Sequence, residues 1–189
     1  MKNVIIVHGK PSKETYYSEE FPSSSNFAWI PWVQKQLIIR DIKADAPEMP
    51  HSYNPDYAIW KTEFERFDII PETTLVGHSC GAGFLVRWLS EHPDVQVAKV
   101  ILVAPSLDPM KKITTGFSDF TIDPAMLTHA KEVVVFTSDN DSENAATSVK
   151  MLTDTIEGLE VKMFPGYGHF IPEHMDQDIF PELIEEILK

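Results

Sequence analysis

One stretch constrains the fold of this chain more than any other: Thr73-Thr74-Leu75-Val76-Gly77-His78-Ser79-Cys80-Gly81-Ala82-Gly83. A short apolar strand runs into Gly-His-Ser-Cys-Gly, and an apolar helix follows from Phe84 to about Ser90. A serine between two glycines at a sharp strand-to-helix turn sits in a strained backbone conformation, its hydroxyl pushed out above a sheet. Side chains at Gly77 and Gly81 would collide where the arms of the turn approach. The helix N-terminus beside Ser79 favours developing negative charge. Ser79 is therefore a candidate nucleophile.

The rest of the chain supplies the sheet that such a turn needs. Val4–Val7 is a continuous apolar run, and 98–103 and 132–136 are apolar but for Lys99 and Glu132, the pattern of parallel strands covered on both faces. Weaker strands are expected at 42–46 and 159–164. Between them lie helices. Pro31 opens one to about Arg40, with Trp29, Val33, Leu37 and Ile38 facing inward. Asn54-Pro55 caps a second, running to about Phe67 with Ile59, Trp60, Phe64 and Phe67 on its core side. A short helix is expected near 123–127. A longer one covers 143–156 with Val149, Leu152 and Ile156 buried, and the last spans 180–188 with Ile179, Leu183, Ile184, Ile187 and Leu188 as its stripe. Strands alternating with helices predict a single doubly wound α/β domain over 1–189, a three-layer sandwich around a mostly parallel sheet of about six strands. Residues 10–28 show no period, and a loop that long in a compact domain is a functional candidate.

A serine hydroxyl needs a base, and the base needs an orienting acid. With this turn the chain order is serine, acid, histidine. Of the histidines after Ser79, His92 falls at the end of the elbow helix and His129 before the fifth strand, at the wrong edge of the sheet. His169 follows the sixth strand in Gly166-Tyr167-Gly168-His169-Phe170, at the ligand-binding end, with His174 five residues on. His169 is the candidate base. The acid belongs after the fifth strand, where Asp139 and Asp141 both qualify. An oxyanion would be held by two backbone donors, the N–H of Cys80 and one near Gly9-Lys10. Cys80 reads as a small buried filler, and His8 and His78 as supports beside the site.

The 189 residues carry 16 basic and 29 acidic side chains, a net charge of −13. That argues against nucleic acid and anionic membranes as partners. One cysteine excludes an internal disulfide and fits a cytoplasmic setting, and no run approaches the length of a spanning helix. No His or Cys spacing implies a metal, no motif implies a cofactor, and a protein partner is not indicated.

Taken together, Val7-His8-Gly9, Trp29-Ile30-Pro31-Trp32, Pro47-x-Met49-Pro50, Gly77-His78-Ser79-Cys80-Gly81-Ala82, Ser138-Asp139-Asn140-Asp141 and Gly168-His169-Phe170 resemble the small α/β-hydrolase-fold serine hydrolases of the YdeN and retinoblastoma-binding-protein-nine type. The resemblance covers nearly the whole chain. It implies a minimal hydrolase fold without a lid domain, and a Ser79, Asp141, His169 triad in which the second aspartate of its segment is the acid. It further implies an esterase acting on small acyl compounds through an acyl-enzyme. The rival expectation is a binding protein that keeps the scaffold with little turnover.

Overall fold

The computed structural model describes residues 2–189. Its elements are β1 (Asn3–Val7), α1 (Lys13–Tyr17), α2 (Ile30–Ile38), β2 (Lys43–Asp45), α3 (Tyr57–Phe64), β3 (Thr73–His78), α4 (Cys80–Glu91), β4 (Val97–Val103), β5 (Ala130–Thr137), α5 (Glu143–Thr155), β6 (Glu160–Met163), α6 (Pro172–Met175) and α7 (Pro181–Leu188). The six strands form one parallel sheet in the order β2-β1-β3-β4-β5-β6. Alternation along the strands divides the core. Ile5, Leu75, Val100, Leu102, Val133 and Val135 pack against α3, α4 and α5. Val4, Ile6, Val76, Ile101, Val134 and Phe136 pack against α2 and α7 on the other face. Both faces are buried, which is why the central strands read as nearly unbroken apolar runs.

The chain moves outward from β1 to β2 and then returns past β1 to β3. The direction of winding therefore reverses between β1 and β3, and the loops leaving these two strands diverge. A crevice opens at their C-terminal ends, where doubly wound sheets bind ligands. The long connection from β4 to β5 forms no domain of its own. Its Phe117 packs edge-on against Trp60, with ring centroids 5.1 Å apart. Among the described residues no helix is long and apolar enough to cross a membrane.

Several sequence expectations are corrected. The elbow helix starts at Cys80, four residues before Phe84, because the apex serine itself sits at its N-cap. Asp56, not Asn54, caps α3, accepting the Ile59 N–H. Ile38, Ile59, Ile179 and Leu188 are 54%, 42%, 38% and 43% exposed. Ile38 follows Leu37, and Ile59 precedes Trp60, so each lies about 100° around its helix from the buried stripe. Ile179 lies before α7 begins, and Leu188 is its last helical residue. Residues 10–28 are not irregular throughout. They hold the short helix α1, capped by Ser12, and a 3-10 turn at Ser24–Asn26.

Candidate active site

The site is built on the turn after β3. Ser79 has φ 52° and ψ −116°, a conformation that L-residues avoid. Three backbone hydrogen bonds hold it there. Its N–H donates to the Val103 carbonyl at 2.9 Å, and its carbonyl accepts from Ser106 at 3.0 Å and Gly83 at 3.1 Å. A Cβ added to Gly77 would lie 2.5 Å from the Ala82 α-carbon, so one arm of the turn closes onto the other only with glycine there.

The structure brings Ser79, His169 and Asp141 together. The Ser79 hydroxyl is 2.8 Å from His169 Nε2, and His169 Nδ1 is 2.9 and 3.1 Å from the two Asp141 oxygens. The Asp141 side chain is 2% exposed, while His169 is 27% exposed, open to the crevice. With a carboxylate on Nδ1, the proton resides there and leaves Nε2 free to accept from the serine.

Asp139 does not reach the histidine. Its Oδ1 accepts the Gly166 N–H at 2.8 Å, and Asn140 Oδ1 accepts the Gly168 N–H at 2.7 Å. Ser142 caps α5 through Ala145. Four consecutive residues thus divide the work: two pin the histidine loop to the end of β5, one meets the imidazole and one starts a helix.

The other histidines stay outside the chain of hydrogen bonds from serine to acid. His92 stacks on Trp88 at the end of α4. His129 is buried before β5 in contact with Asp123 at 3.0 Å. His174 Nδ1 accepts the backbone N–H of His169 at 2.9 Å. The Cys80 thiol is 3% exposed, and burial pushes its pKa up to about 12, which leaves it protonated and unreactive.

Of the two expected oxyanion donors, Cys80 directly follows the serine and Lys10 lines the same cavity. Cys80 is the first residue of α4, where N–H groups have no intrahelical acceptor. On the other side, His8 orients the Lys10 peptide. The Met49 N–H donates to His8 Nε2 at 2.9 Å, so His8 carries its proton on Nδ1 and donates it to the Gly9 carbonyl at 2.7 Å. A trans peptide points its N–H opposite its carbonyl, so the bond that holds Gly9 C=O back turns the Lys10 N–H away from His8. Burial keeps the His8 pKa below its ordinary value despite the Gly9 carbonyl and Glu48 nearby.

A cavity of about 380 Å³ opens over Ser79 and His169. Most of its apolar wall comes from the first long loop and the start of α2, with Phe21, Pro22, Phe27 and Trp29 among the lining residues. Sequence reading missed two contacts here, His78 Nε2 on the His169 carbonyl and Trp29 Nε1 on the Phe170 carbonyl, both 2.9 Å. The available signal was a polar atom on each of two side chains destined for the interior.

The strand order, the strained serine at the switch point and the histidine loop after β6 define an α/β-hydrolase fold. A sequence model described as serine hydrolase matches residues 20–182, and the chain belongs to that family. It is 27% identical over 172 residues to YdeN of Bacillus subtilis (strain 168), covering 86% of this chain and 88% of YdeN. The crystal structure of the B. subtilis ydeN gene product superposes with a TM-score of 0.83 at 23% identity, over 100% of this chain and 97% of that one. Est1E from Butyrivibrio proteoclasticus superposes with a TM-score of 0.65 at 15% identity, over 98% and 85%.

Proposed function

We propose that this serine hydrolase is an esterase for small acyl compounds, using Ser79 as nucleophile, His169 as base and Asp141 as orienting acid. The observation behind this reading is the unbroken hydrogen-bond chain from the Ser79 hydroxyl through both nitrogens of His169 to Asp141. As Ser79 attacks the ester carbonyl, His169 Nε2 takes its proton, and Asp141 balances the imidazolium that forms. The N–H groups of Cys80 and Lys10 receive the oxyanion. His169 then returns the proton to the departing alcohol, leaving an acyl-enzyme. Water, deprotonated by His169, attacks that ester, and the acid leaves as Ser79 regains its proton. The groups named in these steps are side chains and amides of this chain, with water as the second nucleophile. The setting we assign is the cytoplasm, with no nucleic acid or membrane partner.

The test is hydrolysis of p-nitrophenyl esters from acetate to octanoate, together with labelling by a fluorophosphonate. Wild type should turn over and label, and Ser79→Ala should lose at least about a thousandfold in kcat/KM and all labelling. A folded wild type that neither labels nor hydrolyses any ester of the series would sink the reading and favour a binding role on this scaffold.

A further inference from the structure

We propose that His78 is a positioning residue for the base: its buried ring N–H holds the His169 carbonyl, tying the base to the strand end that presents Ser79. This inference rests on the functional reading above.

A carbonyl oxygen only accepts, so His78 Nε2, 2.9 Å from the His169 carbonyl, must carry the proton. The ring lies on the α2 and α7 side of the sheet, with Trp29 edge-on at 5.7 Å and the His169 ring at 5.3 Å. His78 and Ser79 are consecutive, so the contacts close a small ring. It runs from the serine hydroxyl to the His169 imidazole, along His169 to its carbonyl, across to His78, and back through one peptide bond. The His78 contact holds the His169 backbone, so the base cannot drift from the serine as a whole without breaking it, while Asp141 sets the rotation of the ring.

The remaining bonds to the histidine loop come from elsewhere. Asp139 and Asn140 fix Gly166 and Gly168 to the end of β5, the strand end that supplies the acid. His174 accepts the His169 N–H from within the same segment. Among the described residues of β3, His78 alone hydrogen-bonds the loop. Trp29 adds a second buried donor to the next carbonyl, that of Phe170, whose φ of 54° turns the chain between the two. The base is thus held from the acid's strand and from the serine's strand at once.

The donor is also suited to its neighbour. His78 is buried, and burial together with the nearby His169 pushes its pKa down to about 3. It therefore donates as a neutral ring. A cation in its place would oppose the imidazolium that His169 must become.

The experiment compares His78→Phe, which keeps a ring without a donor, with His78→Gln, which restores an N–H. On the best p-nitrophenyl ester, His78→Phe should lose about 10- to 100-fold in kcat with KM within about twofold, as expected for a misplaced catalytic group. His78→Gln should recover most of that loss. Thermal midpoints measured on each variant separate lost positioning from lost fold. A folded His78→Phe with wild-type kcat, or a His78→Gln no better than His78→Phe, overturns the proposal. Nitrogen NMR of the wild type tests it without any variant: His78 should be neutral and protonated on Nε2 at pH 7, and an Nδ1–H tautomer or a charged ring overturns it. Failure of the functional reading is told apart by Ser79, since wild type would then not label, whereas failure of this proposal leaves labelling intact and His78→Phe active.

Discussion

Gly81, in the first turn of α4, is pressed against the carbonyl oxygen of Val7 at the end of β1. A Cβ built on it would overlap that oxygen and lie 2.5 Å from the His8 carbonyl oxygen. The glycine therefore answers to a neighbouring strand, and not to the other arm of the turn as the sequence suggested. The close approach sets how near the Ser79 turn lies to the loop carrying Gly9 and Lys10.

Gly81→Ala should push α4 away from β1. Overpacking of this kind costs about 1–3 kcal/mol, and here the obstructing atoms are backbone that cannot rotate aside. Urea unfolding should show the loss, and fluorophosphonate labelling of the folded fraction should slow as the two amides separate. Wild-type stability with a wild-type labelling rate would show that the helix tolerates the methyl.

Asp141 and Asp139 give a second prediction. Asp141→Asn should lower kcat by about ten-thousandfold, since an amide in that place favours the wrong imidazole tautomer. Asp139→Ala removes an acceptor from the Gly166 N–H and should lower the thermal midpoint while leaving most of the activity. Equal kinetic losses in the two variants would contradict the assignment of Asp141 as the acid.

The contrast between these aspartates also marks how far the sequence could be read. The runs at 4–7, 98–103 and 132–136 were legible because strands buried on both faces cannot alternate. Ser79 and His169 were legible because glycines bracket the first and precede the second where the fold turns. Nothing local distinguishes Asp139 from Asp141. The choice depends on where a loop 27 residues after Asp139 hangs its N–H groups, and only the resemblance to a family favoured Asp141. Residues 10–28 were opaque for a related reason. Their course is set by distant partners, with Ser25 N–H on Glu48 at 2.8 Å and Tyr16 against Tyr53 at 4.8 Å. His78 read as a support because it neighbours Ser79, but what it supports lies 91 residues away.

The buried histidines predict an early acid limb in stability. His78, with its pKa near 3, and His8, also lowered by burial, stay neutral in the folded protein. In the unfolded chain each takes up a proton near pH 6.5. Their folded pKa values lie below the unfolded one, so their contribution is complete above about pH 6.5 and is lost as pH falls towards the folded values. Each can remove up to about 1.4 kcal/mol per pH unit in that window. Urea midpoints should therefore decline between pH 7 and pH 5, before carboxylates begin to protonate, and His78→Gln should flatten the decline. A wild type equally stable at both pH values would contradict this.

Phe27 is predicted to set how long an acyl chain the site accepts. It lines the catalytic cavity and also a neighbouring open groove of about 680 Å³ that runs past Trp32 and Ile179. Pro22 and Ala28 are shared in the same way, so these residues and Phe27 stand between two adjoining spaces. Phe27→Ala should join them. An acyl chain that fills the wild-type cavity would then extend into the groove, burying further methylenes at about 0.8 kcal/mol each, or about fourfold in kcat/KM per carbon. The optimum of the p-nitrophenyl ester series should shift to longer chains, with acetate least affected because it has no further methylenes to bury. An unchanged optimum would mean that the chain leaves the serine in another direction and that Phe27 faces the alcohol instead.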